Sequence, residues 1–184
     1  MHIEVLEDNV DVKAFLEEAN SIKVKLGLGW NQVKQIGIQG HKPDLDPLEE
    51  WKSSIGRGTG IQYPETYFKY PLFDIPLINR FIEKYGLVRT RIMGMQEKSC
   101  YTAHNDLSKR IHIPLISNPD CFIMVEDRVY HLEPGKVYLV NTTLKHTAIN
   151  ASKSFRLHLV GSFYDHVIYS SNYDVPERCW PLIQ

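Results

Sequence analysis

Ser99-Cys-Tyr-Thr-Ala-His104-Asn-Asp106-Leu-Ser-Lys-Arg110-Ile-His112-Ile-Pro-Leu-Ile-Ser117 is the stretch on which the fold turns. From Arg110 onward, aliphatic residues alternate with Arg and His. That is the period of a strand with one apolar and one polar face. Upstream, His104 and Asp106 are two residues apart, as are Arg110 and His112. If the strand extends back that far, each pair shares a face, with ~6.5–7 Å between its members along the chain. An imidazole beside a carboxylate is suited to a divalent metal.

Downstream, the same period continues. Strands are predicted near 87–97, 110–117, 120–126, 128–132, 136–141, 146–150 and 154–163. Asn118-Pro119-Asp120, Glu126-Asp127 and Glu133-Pro134-Gly135-Lys136 supply turns. Many short strands at close spacing indicate a mostly β fold with flanking helices, an antiparallel sandwich or barrel of the jelly-roll kind. Arg156-Leu-His158-Leu repeats the pattern of Arg110-Ile-His112-Ile. One such polar face is ordinarily solvent-exposed; two, one after His104/Asp106 and one after His146, favour a polar cavity.

Upstream of Gly86 the pattern is helical or irregular. Val12, Phe15, Leu16 and Ala19 give a helix over 9–19 with Glu17 and Glu18 facing water. Ile22–Leu26 and Gln35–Ile38 look strand-like. Asp46-Pro47-Leu48-Glu49 starts a helix ended by Gly56. Gly56, Gly58 and Gly60 form a plain loop, because a phosphate loop needs a Lys-Ser/Thr pair and a preceding strand. Ile78, Phe81, Ile82 and Tyr85 mark a third helix, about 75–85, that stops at Gly86. These helices are expected to cover the outside of the barrel. Trp30-Asn31, the Gly56–Gly60 loop and the aromatic run Tyr63–Phe73 are the expected selectivity lids, although aromatics of this kind more often pack a core or an interface.

The bulk composition bounds the function. With 184 residues, 43% hydrophobic, the chain suits one domain: cover 1–86, barrel 87–163, tail 164–184. A net charge of -1 with no basic block gives no support to nucleic-acid binding. Three widely spaced cysteines form no disulfide framework or structural zinc set. No apolar run approaches the ~20 residues of a membrane span. A soluble protein of a reducing, cytoplasmic compartment is expected.

Two histidines and a carboxylate on one side of an octahedron bind iron(II) and leave three positions open. His104 and Asp106 would be two ligands, and His146, on a strand returning beside them, the third. Arg156, ten residues after His146, offers a rigid fork to the distal carboxylate of a 2-oxo acid.

Residues 87–163 resemble the aspartyl/asparaginyl β-hydroxylase family of iron(II)/2-oxoglutarate oxygenases, which includes bacterial proline hydroxylases. The matching features are His104-x-Asp106, Arg110-Ile-His112-Ile-Pro-Leu with Ser117-Asn118, Leu132-Glu-Pro-Gly135, His146-Thr-Ala-x-Asn150 and Arg156-x-His158-Leu-Val. The resemblance implies a double-stranded β-helix, or cupin-like jelly-roll, with His104, Asp106 and His146 on iron(II). It implies Arg156 on the 2-oxoglutarate C5 carboxylate, Arg110 and His112 contacting that co-substrate from the other side, and dioxygen as oxidant. Asp106 departs from animal members that lack the carboxylate ligand and agrees with the three-ligand bacterial type. The expected activity is hydroxylation of an amino acid or of a residue in a peptide or protein, with release of succinate and carbon dioxide. Two other readings stand beside it: a cupin-like metal enzyme that does not use 2-oxoglutarate, and a non-catalytic jelly-roll module whose His and Asp never converge.

Overall fold

In the computed structural model, which describes residues 1–30, 34–55 and 63–164, strand β1 (Ile3–Glu7) precedes helix α1 (Val12–Lys25). Asp11 caps α1, its carboxylate accepting the Ala14 N–H at 3.1 Å. The helix runs through residues 22–25, where strand-like spacing was expected. Ile22 extends the stripe of Phe15 and Ala19, and all three are buried. Burial of that longer stripe outweighs the β-branched alternation.

Strands β2 (Gln35–Gly37) and β3 (Gln39–Gly40) lead to a single helical turn, α2 (Pro47–Glu50), capped by Asp46. The helix expected to reach Gly56 thus stops early, in turns. A short 3-10 turn (Glu65–Tyr67) and β4 (Tyr70–Pro71) follow, then helix α3 (Pro76–Tyr85). No side chain at its own N-terminus caps α3. Glu18 of α1 does so instead, accepting the N–H groups of Leu77 and Ile78 at 2.8 Å each. Glu18 is therefore a tertiary cap and not a solvent-facing residue. Gly86 ends α3 at φ 60, as expected.

The barrel strands are β5 (Val88–Met95), β6 (Ser99–Cys100), β7 (Lys109–Ile116), β8 (Cys121–Val125), β9 (Arg128–His131), β10 (Val137–Val140), β11 (His146–Asn150) and β12 (Arg156–Phe163). Together with β1 and β2 they form two antiparallel sheets, a larger one in the order β1-β10-β7-β12-β5-β2 and a smaller one in the order β6-β11-β8-β9. Eight strands divided in this way between two sheets make the expected jelly-roll. No helix among the described residues is long and apolar enough to cross a membrane.

The larger sheet has two unlike faces. Ile92, Ile111, Ile113, Leu115, Leu157 and Leu159 point outward and share one core with Phe15, Ile22, Ile78 and Phe81 of the helices. A second cluster, with Met95, Ile123, Val125, Leu132, Tyr138, Val140 and Ala148, lies between the sheets. The remaining inner face carries the Arg and His positions. The helices thus satisfy the aliphatic side of each strand, leaving the polar side for the barrel interior. Gly161 of β12 allows close packing, since a Cβ there would meet Leu87 Cδ1 at 2.7 Å and Thr90 Oγ1 at 2.9 Å. The Gly56–Gly60 loop, Asn31 and the tail beyond residue 164 lie outside the described residues.

Candidate metal centre and its cavity

His104, Asp106 and His146 converge, their ligand atoms all within 4.8 Å of one another. His146 opens β11 as expected. His104 and Asp106 do not sit in a regular strand; they belong to the loop between β6 and β7. Backbone hydrogen bonds hold that loop to the smaller sheet and to the turn before β11. Tyr101 N–H donates to Ala148 O at 3.0 Å, and Asp106 N–H to Thr142 O at 2.8 Å. His104 and His146 exchange N–H and C=O bonds at 3.0 and 2.9 Å, an isolated bridge. This bridge, and not i, i+2 spacing along one strand, brings the site together.

Both imidazoles are oriented in the same way. His104 Nδ1 meets the Thr102 carbonyl at 2.7 Å, and His146 Nδ1 meets the Leu144 carbonyl at 3.0 Å. Each carbonyl accepts the Nδ1–H, which leaves the Nε2 lone pair free. The two Nε2 atoms face the Asp106 carboxylate, at 4.0 Å for His104 and 3.7 Å for His146. Burial pulls the His146 imidazole down, so it is neutral and able to ligate near neutral pH. Two free imidazole nitrogens and a carboxylate fit a divalent first-row metal, iron(II) among them.

Arg110 buttresses the carboxylate. Its Nε donates to Asp106 Oδ2 at 3.0 Å, and its Nη atoms donate to Glu65 at 2.8 and 2.9 Å, to Ser108 Oγ at 2.6 Å and to Ser162 Oγ. Glu65 also pairs with Arg89 and accepts from the Tyr164 hydroxyl at 3.0 Å. Burial pushes the Glu65 carboxyl up, but Arg110, Arg89 and Arg91 outweigh it and hold it far below the usual range. The Arg110 nitrogens are therefore committed to protein groups, although the residue was expected to contact the co-substrate.

His112 and His158 are buried, their rings meeting edge to face at 5.8 Å. The Nε2 atom of each is sealed and without a hydrogen-bond partner. Arg156 is 4% exposed and donates to His158 Nδ1 at 3.0 Å. No carboxylate among the described residues pairs with it. Burial pulls the Arg156 guanidinium down to about 10, which leaves it a cation at neutral pH.

A cavity of about 340 Å³ joins these groups, with His104, Asp106, His146, Arg110, His112 and Arg156 all on its wall. Arg91, Arg89 and Gln35 line it too, and sequence reasoning missed all three. The signal was present: Arg89-Thr-Arg91-Ile-Met93 on β5 repeats the period of Arg110-x-His112 on β7. Glu65, also missed, had no such signal, because only the tertiary fold brings its turn beneath Arg110. Of the aromatic run, Phe68 is fully buried, and Tyr63 stacks on His41 at 4.2 Å.

Residues 9–165 match the family model described as aspartyl/asparaginyl β-hydroxylase. The chain is 31% identical over 133 residues to L-proline cis-4-hydroxylase of Rhizobium meliloti strain 1021. That match covers 62% of this chain and 48% of the relative, so the chain spans about half the relative's length. Among solved structures, a cupin domain from Bordetella pertussis Tohama I overlaps 41% of this chain and 80% of its own, at 13% identity and TM-score 0.37. An oxidoreductase of the 2OG-Fe(II) oxygenase family from Burkholderia pseudomallei overlaps 45% of this chain and 48% of its own, at 19% identity and TM-score 0.36.

Proposed function

Because the chain belongs to the aspartyl/asparaginyl β-hydroxylase family, we propose that it is an iron(II)- and 2-oxoglutarate-dependent hydroxylase of an amino acid or a peptide residue. His104, Asp106 and His146 are the metal ligands in this reading. With iron(II) and 2-oxoglutarate bound, the centre would supply dioxygen-derived oxidising power toward an unactivated C–H, releasing succinate and carbon dioxide.

The residues of the chain supply position and charge. Arg156 takes the distal carboxylate of the co-substrate. His112 lines the cavity beside it, and His158, buried behind, accepts from Arg156 at Nδ1 and so holds the guanidinium in place. Arg110, committed to Asp106 and Glu65, acts by holding the ligand carboxylate and not by touching the co-substrate.

Arg156 is the observation that carries this reading. A guanidinium buried without a counter-charge costs several kcal/mol, of order 3–5 when a partner is removed from a buried pair. Such a site is explained if an anion completes it. Calorimetry with 2-oxoglutarate, with and without iron(II), tests this. Metal-dependent binding should be lost in His146→Ala and weakened by at least about tenfold in Arg156→Ala. If 2-oxoglutarate fails to bind the metal-loaded wild type, the reading is wrong.

A further inference from the structure

Arg156 is not the only unpaired guanidinium in the cavity. Arg91 is 7% exposed, and its single hydrogen bond to a described residue runs from Nη1 to Gln35 Oε1, at 2.9 Å. Its Nε is sealed and has no partner. The neighbouring carboxylates are already engaged, Glu65 by Arg89 and Arg110, and Asp106 by Arg110. Among the described residues around the metal centre, then, three guanidiniums face two carboxylates, and Arg91 is the one without an anion. Resting on the oxygenase reading above, we propose that Arg91 receives the carboxylate of the second substrate. The enzyme would then act on a small free acid, an amino acid with its α-carboxylate unblocked, and not on a residue inside a polypeptide.

Arg91 and Arg156 spring from separate places on the cavity wall. Val160 pairs with Arg91 on one side and His112 on the other, which sets these three on one row across the larger sheet. Arg156 lies four residues from Val160 along β12, roughly 13 Å away at strand rise. The two arginines also have different electrostatic neighbours. Glu65 and Asp106 act on Arg91, whereas Tyr101 and Cys121 are the groups that favour the charge on Arg156. One anchor lies beside the metal ligands and the other farther along the wall, an arrangement for two acids flanking one centre.

The space agrees. About 340 Å³ is near the lower end of the roughly 300–1,000 Å³ usual for small-molecule sites. With a five-carbon dicarboxylate seated at Arg156, the remainder suits a molecule of amino-acid size. An amide in place of the carboxylate would leave Arg91 without its charge-assisted partner.

The test measures succinate release by iron-loaded protein with each proteinogenic L-amino acid, with its carboxamide, and with a blocked hexapeptide containing Asp and Asn. At least one free amino acid should stimulate turnover, and its carboxamide should be poorer in kcat/KM by roughly tenfold to a hundredfold. Arg91→Gln should lose that preference, bringing acid and amide within about threefold of each other, with Arg91→Lys between. The proposal is overturned if 2-oxoglutarate binds but no free amino acid stimulates, or if amide or peptide serves as well as acid. Failure of 2-oxoglutarate binding, measured separately by calorimetry, overturns the oxygenase reading itself. Should Arg91→Gln not fold, the acid–amide comparison on wild type still decides.

Discussion

Glu65 grips the guanidinium of Arg110 with both carboxylate oxygens, at 2.8 and 2.9 Å, and Arg110 in turn holds the metal-facing Asp106 at 3.0 Å. A turn in the N-terminal cover, 41 residues before Asp106 in sequence, thereby fixes the orientation of a proposed ligand. Replacing Glu65 by Gln leaves Arg89 buried without its carboxylate partner and Arg110 with Asp106 alone, at a cost of about 3–5 kcal/mol in urea denaturation of metal-free protein. Asp106 also loses its second-tier support, so metal affinity should fall roughly tenfold to a hundredfold. Unchanged affinity in a folded Glu65→Gln protein would show that Asp106 is held by other means.

Stability should respond to pH through His112 and His158. Burial, reinforced by Arg156, depresses both imidazoles well below 6.5, so the folded protein keeps them neutral. The unfolded chain takes up these protons near pH 6.5, so acid favours unfolding. Their contribution is complete above that value and is lost as the pH falls toward the folded pKa, by up to about 1.4 kcal/mol per pH unit for each ring. Urea midpoints of chelator-treated protein between pH 7.5 and 5.5 should show this slope. His158→Gln should be shallower by one ring's share. An equal slope in both proteins would mean that His158 is protonated in the fold.

Gly161 should not tolerate a methyl group. Its Cβ would press against Leu87 and Thr90 from less than 3.0 Å. Gly161→Ala is expected to cost about 1–3 kcal/mol, the usual range for overpacking. A thermal melt within a degree of wild type would show that Leu87 shifts freely.

Glu18→Ala offers a contrast, because Glu18 caps α3 far from the cavity. Loss of two N–H bonds to a carboxylate should cost roughly 1–2 kcal/mol. Metal and 2-oxoglutarate affinities should stay within about twofold of wild type. A larger change in either would couple the helical layer to the site.

The strands were legible because burial on one face imposes a period of two, and the turns between them carry Pro, Gly, Asn and Asp. His104, Asp106, His146 and Arg156 could be chosen from residue type and spacing, and all four line one cavity. Their mechanism of approach could not, since the His104–His146 bridge depends on backbone pairing between segments 42 residues apart. Glu18 and Glu65 were hidden for the same reason. Each is an ordinary charged residue until a distant segment folds against it. Residues 22–25 misled because β-branched residues at alternate positions suit a strand, whereas the core across from α1 needed Ile22 on a helix.

The backbone of the loop carrying His104 and Asp106 is hydrogen-bonded to the smaller sheet and the turn beside it, whereas the Arg110–Asp106 pair ties it to the larger sheet through side chains. The loop is in effect a clasp, able to open locally while the barrel stays shut. Metal shared between the loop and β11 would lock it, so amide hydrogen exchange at His104, Asp106 and His146 becomes a gauge of occupancy. Under a chelator these amides should exchange by a low-energy opening, while those of β7 and β12 still await global unfolding. The protein would lose its chemistry well before it lost its shape.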